Sequence, residues 1–161
     1  MWVATKSKPG AQEDGLSWAT PTTNLQYAID KLMSSHNNHD KYICLLGDEE
    51  GSYSPSKVID NRLAFIITSN TMEPMMPDSA LADYNYCVKS LNFLGGYSYD
   101  VPDAPRDPVK NPVVFEMPNG NKSQLNQLFI VEDMTRQQQL QVNWNGESLA
   151  RDNVAIPITL I

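Results

Sequence analysis

The spacing of apolar positions changes along this 161-residue chain. Near the amino terminus, apolar side chains recur three or four positions apart, which is the period of a helix with one buried face. That face comprises Leu25, Ala28, Ile29, Leu32 and Met33. Thr23 and Gln26 have the spacing of a capping box, which marks a helix start. The pattern predicts one short amphipathic helix over 23–33.

Most of the remaining chain is predicted to form short strands. Runs rich in β-branched and aromatic residues are separated by Gly, Pro, Asn and Asp, as expected for strands joined by turns. The strongest runs begin about 20 to 25 residues apart, within the range of stacked-repeat architectures. The predicted strands are 2–5, 42–46, 57–59, 63–68, 87–94, 112–115, 127–131, 140–144 and 154–161.

Two all-β arrangements compete for this pattern. A β-sandwich built from hairpins favours tight Asn-Gly turns, and these occur only late, at Asn119-Gly120 and Asn145-Gly146. A solenoid of parallel strands suits the several runs that are apolar at consecutive positions. We therefore predict a parallel β-helix in a single domain over 1–161, with the helix at 23–33 capping its first turn, and a β-sandwich as the alternative.

Composition narrows the classes of partner. The net charge of −7 and the dispersed Lys and Arg residues argue against nucleic acid. No apolar run is long enough to span a bilayer, and the first 20 residues lack the pattern of an export signal. Cys44 and Cys87 each lie in an apolar run, so we predict that both are buried free thiols, with a disulfide between them as the alternative.

The best candidate for a binding site is a segment that mixes aromatic and charged side chains. Tyrosine rings can stack on a sugar while carboxylate and guanidinium groups form hydrogen bonds to its hydroxyls. The simpler interpretation is structural, with the arginine paired to a carboxylate and the tyrosines covering the strands. The candidate residues are Tyr97, Tyr99, Asp100, Asp103, Arg106 and Asp107.

Other polar clusters favour no cofactor or metal. His36 and His39 could begin a metal site, but without a neighbouring Cys or further His a solvated loop is favoured. The acidic residues at 48–50 lack the alternating ligand spacing of a calcium loop. Neither a nucleophile elbow, a phosphate loop nor a zinc helix occurs, and the predicted strands carry few carboxylates. We expect a protein without catalytic residues.

Several motifs resemble the amino-terminal region of bacterial right-handed parallel β-helix surface proteins, including adhesin-like and polymorphic-outer-membrane-protein-like chains. In that family an opening strand precedes a Gly-Ser-Ser-Trp-type turn and a helix patterned Leu-Gln-x-Ala-Ile-Asp. Strand, Gly-x-Tyr, Gly-Gly-Tyr and Arg-Asp motifs then follow. The resemblance covers roughly 2–116. The matching segments here are 2–4, 15–19, 25–30, 42–47, 51–53, 91–97, 106–107 and 111–115, with three acidic residues at 48–50 where the family has little or nothing.

The resemblance implies a right-handed solenoid that belongs to a longer, exported protein at the bacterial cell surface. It further implies a non-catalytic module for adhesion or for binding a glycan or partner protein. The alternative is a carbohydrate-active lyase or hydrolase of the same architecture, or a fragment of one. The apolar strand at 154–161 has no following segment to cover it, so we expect an edge contact there with another chain.

Overall fold

The computed structural model describes residues 1–34, 39–47, 50–59, 62–68, 88–116, 128–132, 141–144, 148–150 and 158–160. These residues contain one α-helix, α1 (Leu25–Met33), and ten β-strands. The strands are β1 (Trp2–Val3), β2 (Asp40–Gly47), β3 (Lys57–Ile59), β4 (Arg62–Thr68), β5 (Ser90–Ser98), β6 (Val113–Phe115), β7 (Phe129–Glu132), β8 (Gln141–Trp144), β9 (Ser148–Ala150) and β10 (Ile158–Leu160).

Helix α1 begins one residue later than the capping-box spacing indicates. The side chain of Asn24, not Thr23, accepts a hydrogen bond from the backbone N–H of Tyr27 at 3.0 Å. Asn is among the best residues for this position because its short side chain reaches the unpaired N–H groups of the first turn. The helix buries its predicted apolar face, with Leu32 partly buried at the margin. The predicted helix is therefore present, but its predicted cap is wrong.

Gln26 holds the helix to β4 instead of completing a capping box. Its side-chain Nε2 donates to the carbonyl of Ile66 at 2.7 Å, and its Oε1 accepts from the Ile66 N–H at 2.8 Å. The amide thus pairs with both backbone groups of a buried residue, as a neighbouring strand would. Because unpaired buried backbone groups are costly, this contact anchors α1 beside the sheet.

Three sheets account for the described strands. The first has four strands in the order β1-β2-β5-β8, and every neighbouring pair is parallel. The second has the order β10-β7-β4-β3, with parallel pairs except for antiparallel β3 and β4. The third is a parallel pair, β6 and β9. Parallel neighbours require long connections between paired strands, which explains why sequence neighbours are seldom sheet neighbours.

The predicted fold class is wrong in both of its forms. Among the described residues the strands form separate parallel sheets with an antiparallel pair at one edge, and no closed solenoid is found. The pattern is mixed α/β, since α1 packs against β4 and also meets β1 and β2. The β-sandwich alternative fails because hairpin sandwiches need antiparallel neighbours and most neighbours here are parallel. Apolar runs specify strands, but the way sheets join depends on connections that those runs do not encode.

A continuous apolar core lies between the sheets and the helix. Within one sheet, Phe65 stacks on Phe129 at a centroid distance of 5.2 Å. Between sheets, Phe129 meets Phe93 edge to face at 5.2 Å and Phe115 edge to face at 5.4 Å. In the first sheet, Asn143 donates to the Asn92 side chain on the neighbouring strand at 2.9 Å. Such a ladder of identical polar residues holds the register of parallel strands and keeps the amides hydrogen-bonded.

The strand boundaries bear directly on the candidate site. Strand β5 continues through Gly95 and Gly96 to Ser98, so Tyr97 lies in a strand and not beyond it, as the predicted end at residue 94 indicated. Strand β9 was not predicted, and β10 lies in the predicted run at 154–161, of which 154–157 and 161 are outside the described residues. Cys87 lies outside the described residues, and Cys44 is a free thiol in β2.

Candidate functional site: an aromatic pocket beside a glycine bulge

The six predicted site residues separate into three groups. Tyr97 and Asp103 line one pocket, together with Trp2 and Trp18. Tyr99 and Asp100 line a second pocket. Arg106 and Asp107 line neither of these two pockets, and they hold the intervening loop in place. The predicted segment therefore contributes to two pockets, and its residues have different structural surroundings.

A β-bulge places Tyr97 at the pocket. The register between β2 and β5 shifts between Cys44 and Leu46, opposite the pair Gly95 and Gly96. Gly96 has φ +89°, a conformation that is costly for residues with a Cβ. Bulges bend a strand and redirect the side chains that follow. The two glycines therefore determine where the Tyr97 ring points.

The loop after β5 folds back onto this bulge. The Arg106 Nε donates to the Gly95 carbonyl at 2.8 Å, and the Asp107 N–H donates to the Gly96 carbonyl at 2.8 Å. The Asp107 carboxylate then accepts from the N–H groups of Val109 and Lys110, both at 3.1 Å. An Asp side chain that bonds the backbone two and three residues onward stabilises a turn. Arg106 and Asp107 are thus structural residues of the site.

Trp18 enters the site from a turn between β1 and α1. The Asp14 carboxylate accepts from the Leu16 N–H at 2.9 Å and from the Thr20 hydroxyl at 2.7 Å, which closes the turn. These hydrogen bonds to the ionised form hold the pKa of Asp14 below its ordinary value. The indole Nε1 of Trp18 donates to the Ser98 carbonyl at 2.7 Å. The turn and this long-range bond fix the ring against the end of β5.

The first pocket has a volume of about 240 Å³ and is lined by three aromatic rings, which we call the aromatic pocket. Trp2 and Tyr97 meet edge to face with their centroids 4.9 Å apart, so the two rings form a corner. Asp103 stands at the rim, exposed, with φ +57°. A non-glycine residue in this backbone region is uncommon and is found more often where function constrains the chain. The remaining lining residues are Ser98, Val101 and Ala104.

Tyr97 is kept neutral by its surroundings. Burial, with the neighbouring Cys44 thiol as its hydrogen-bond partner, raises the pKa of Tyr97 to about 12. Burial likewise raises the pKa of Cys44 above its ordinary value. The Arg106 guanidinium lies 5.7 Å from the centre of the Tyr97 ring and opposes the rise in the tyrosine pKa. At neutral pH the pocket therefore contains a protonated phenol, and the Cys44 thiol bonded to that phenol is unreactive.

A lysine lies between the rings of the two pockets. The Lys8 Nζ is 2.8 Å from the centroid of the Trp18 ring and 5.0 Å from that of Tyr99, so the ammonium contacts both faces as a cation–π partner. Burial lowers the pKa of Lys8, and Asp100 opposes this. The Tyr99 hydroxyl donates to the Ser7 carbonyl at 2.8 Å, which ties the same segment to β5. Lys8 and this bond set the spacing between Trp18 and Tyr99.

The second pocket has a volume of about 260 Å³ and a polar lining, and we call it the lysine pocket. Lys6 places its ammonium 4.6 Å from the centre of the Tyr99 ring. Gly47 lines the floor where its chain runs against the backbone of Asn111, leaving no room for a side chain. The other lining residues are Glu50, Asp100, Lys110 and Asn111.

Trp2 and Trp18 were not among the predicted site residues. The sequence contained a usable signal for Trp18, which follows Gly15 in a turn rich in polar residues and carries a large ring outside any apolar run. Trp2 begins a two-residue strand and resembled an ordinary strand residue. Only the pairing of β1 with β2, and of β2 with β5, brings Trp2 next to Tyr97.

The other polar clusters add no site. His36 lies outside the described residues, whereas His39 is exposed and its carbonyl accepts from the Lys89 N–H. Of the acidic triplet, only Glu50 is described, in the lysine pocket. Within the described ranges, no three His, Cys, Asp or Glu side chains are grouped to hold a metal ion.

Comparisons with known proteins leave the function to be argued from the site. No protein-family model, no curated protein sequence and no solved structure matches the chain. Helix α1, the one helix among the described residues, is too short to cross a bilayer. The resemblance to bacterial surface proteins therefore stays a prediction.

Proposed function

We propose that the protein is a non-catalytic carbohydrate-binding module and that the aromatic pocket holds one sugar ring. The observation that carries this proposal is the grouping of Trp2, Trp18 and Tyr97 around about 240 Å³, with the Asp103 carboxylate at the rim. Aromatic faces bury the apolar C–H surface of a sugar, and a charged acceptor forms strong hydrogen bonds to its hydroxyls. Both kinds of group converge on one concavity, as in small-molecule sites.

The pocket is built before any ligand arrives, which supports binding. Trp18 is fixed by its bond to Ser98, and Tyr97 by the glycine bulge and its edge contact with Trp2. A preorganised site loses little side-chain entropy when it binds, so more of the contact energy appears as affinity.

The proposal extends to location and setting. We expect the module to be exported and displayed at a bacterial cell surface, where it binds a glycan or a glycosylated partner. This part rests on the motif resemblance over 2–116. The carbohydrate-active alternative gains no support from the aromatic pocket, which offers Asp103 as its single lining carboxylate and lacks the second one that glycoside hydrolysis ordinarily requires.

A glycan array followed by calorimetry tests the proposal. We expect the wild-type chain to bind at least one oligosaccharide, and Trp18→Ala to weaken binding roughly 30-fold, which corresponds to about 2 kcal/mol for a buried aromatic anchor. Leu16→Ala is the matched control, because Leu16 lies in the same turn, is 72% exposed and is not among the pocket-lining residues. That variant should bind like wild type.

Three outcomes would contradict the proposal. The first is the absence of binding to any glycan on the array, and the second is equal binding by wild type and a folded Trp18→Ala variant. The third is shortening of a bound polysaccharide in a depolymerisation assay, which would favour the enzyme alternative. Choline should be included as a competitor, since three rings beside a carboxylate also suit a quaternary ammonium, and preferential choline binding would overturn the sugar assignment.

A further inference from the structure

We infer that the lysine pocket is a second subsite, which binds the next sugar unit of the same glycan and selects a unit carrying one carboxylate or sulfate group. This inference rests on the proposed function and deepens it by naming the ligand class. It begins from the placement of the two pockets, because consecutive residues of one segment line them: Ser98 the aromatic pocket and Tyr99 the lysine pocket.

The dimensions suit an oligosaccharide. The two pockets measure about 240 and 260 Å³. Each lies below the range of roughly 300–1,000 Å³ that is common for drug-sized ligands, whereas a ligand spanning both would fall within it. Lys8 lies in the wall between them, against the rings of Trp18 and Tyr99, and keeps the pockets adjacent. Two small neighbouring pockets fit two linked units better than one large ligand.

The chemistry of the lysine pocket differs from that of its neighbour. It offers the Tyr99 ring for stacking, the Asn111 amide for hydrogen bonds to hydroxyls, and the ammonium groups of Lys6 and Lys110. Lysine and arginine are scarce in this chain, which has 12 against 19 acidic residues. Lys8 does not line this pocket, but its ammonium lies 5.0 Å from the centre of the Tyr99 ring. The lining has two lysines and two carboxylates, so the pocket is less negative than the chain as a whole and offers two ammonium groups to a single anionic group.

The acidic residues of the lysine pocket limit how much negative charge the ligand carries. Glu50 and Asp100 line it together with the two lysines, and Asp100 interacts electrostatically with Lys8. A densely charged polyanion would meet these carboxylates and the net charge of −7. A sugar with one anionic group among its hydroxyls, such as a uronic acid or a monosulfated hexose, would match the pocket.

Paired probes on the glycan array test this inference. Each acidic oligosaccharide is compared with its neutral counterpart on the same backbone: oligogalacturonate with its methyl ester, glucuronoxylan with xylan, and keratan sulfate with its desulfated form. We expect wild type to prefer the acidic member of at least one pair by about fivefold at low salt, as for a partly exposed charge pair, and less in 0.5 M NaCl. The uronate and sulfate pairs distinguish the two anionic groups.

Variants that remove lysine charges test whether the preference for acidic sugars arises in the lysine pocket. The double variant Lys6→Gln and Lys110→Gln should bind the acidic and neutral members equally while keeping wild-type affinity for the neutral one. Lys31→Gln is the control, because Lys31 is exposed in the last turn of α1 and does not line the pocket. Persistence of the acidic preference in the double variant would overturn the inference.

The failure of the inference can be told apart from the failure of the proposed function. If acidic and neutral members bind wild type equally while Trp18→Ala still weakens binding to both, the charged subsite is wrong and the sugar-binding function stands. If wild type binds no member of any pair or any other glycan on the array, both are wrong.

Discussion

Replacing Gly96 with alanine should disturb both the fold and the site, because two separate structural constraints require a glycine at this position. Its φ of +89° lies in a region that L-residues avoid, and a Cβ added there would lie 2.8 Å from the backbone nitrogen of Pro108. The first constraint is local to the bulge. The second comes from the loop that folds back onto it through Asp107 and Arg106.

The magnitude follows from these two terms. Left-handed backbone conformations cost a non-glycine residue roughly 1–2 kcal/mol, and forcing an extra methyl group into a packed site typically costs about 1–3 kcal/mol. We therefore expect Gly96→Ala to lower the free energy of unfolding by about 2–5 kcal/mol. A typical domain has about 5–15 kcal/mol in total, so the variant should fold but with a clearly reduced stability.

Alanine substitutions at two other glycines measure the backbone cost and the steric cost separately. Gly10 has φ +72° and open space around an added Cβ, so Gly10→Ala should show the backbone cost alone, about 1–2 kcal/mol. At Gly47 the φ is not positive, but a Cβ would overlap the Asn111 carbonyl, so Gly47→Ala should show the steric cost alone. The entropy that alanine removes from the unfolded chain is common to all three variants and cancels in the comparison.

Urea unfolding of the three variants and wild type measures these differences. Gly96→Ala should be less stable than Gly10→Ala by about 1–3 kcal/mol, the steric term. A difference below about 0.5 kcal/mol, within the usual scatter of surface substitutions, would refute the close approach between the bulge and the loop. In calorimetry, Gly96→Ala should also weaken glycan binding, because displacing Pro108 moves the loop that carries Lys110 and Asn111.

Three further predictions concern the helix anchor and the titrating groups. Gln26→Leu leaves the N–H and C=O of Ile66 unpaired, so urea unfolding should show that the free energy of unfolding falls by about 2–4 kcal/mol, after partial compensation by apolar burial. The control Gln12→Leu, at an exposed site, should change this free energy little. Equal stability of Gln26→Leu and wild type would refute the anchor. The tyrosinate absorbance difference between wild type and Tyr97→Phe should titrate near pH 12, because the pKa of Tyr97 is raised to about 12. The neutral phenol stabilises the fold fully below pH 10, and this contribution is lost as the pH rises through 12. A midpoint near pH 10 with a native circular dichroism spectrum would contradict this prediction. In carboxyl carbon NMR, Asp14 should titrate with a midpoint below pH 3.8, because its pKa is lowered. Its carboxylate stabilises the Trp18 turn fully above that pH, and this contribution is lost as the pH falls through the lowered pKa. A midpoint at or above 3.8 would show that the turn does not favour the ionised carboxylate.

The local elements of this protein could be predicted from the amino-acid pattern alone. The helical spacing of Leu25, Ile29 and Met33 predicted α1 to within two residues, because a buried face needs only the period of the helix. The β-branched and aromatic runs similarly predicted most of the described strands. The mixed aromatic and charged composition of 97–107 singled out a segment from which Tyr97, Tyr99, Asp100 and Asp103 line the two candidate pockets, and their role in binding stays a prediction.

The arrangement of those elements, and the set of residues that share a pocket, became apparent from the three-dimensional contacts. The sequence pattern favoured a closed solenoid, whereas the described strands form separate parallel sheets with α1 beside β4. Trp2 and Trp18 reach Tyr97 through pairing between β1, β2 and β5 and through a hydrogen bond that spans 80 positions. Local periodicity reports which side of an element is buried, but pocket membership depends on contacts between distant segments, and no short sequence window contains both partners.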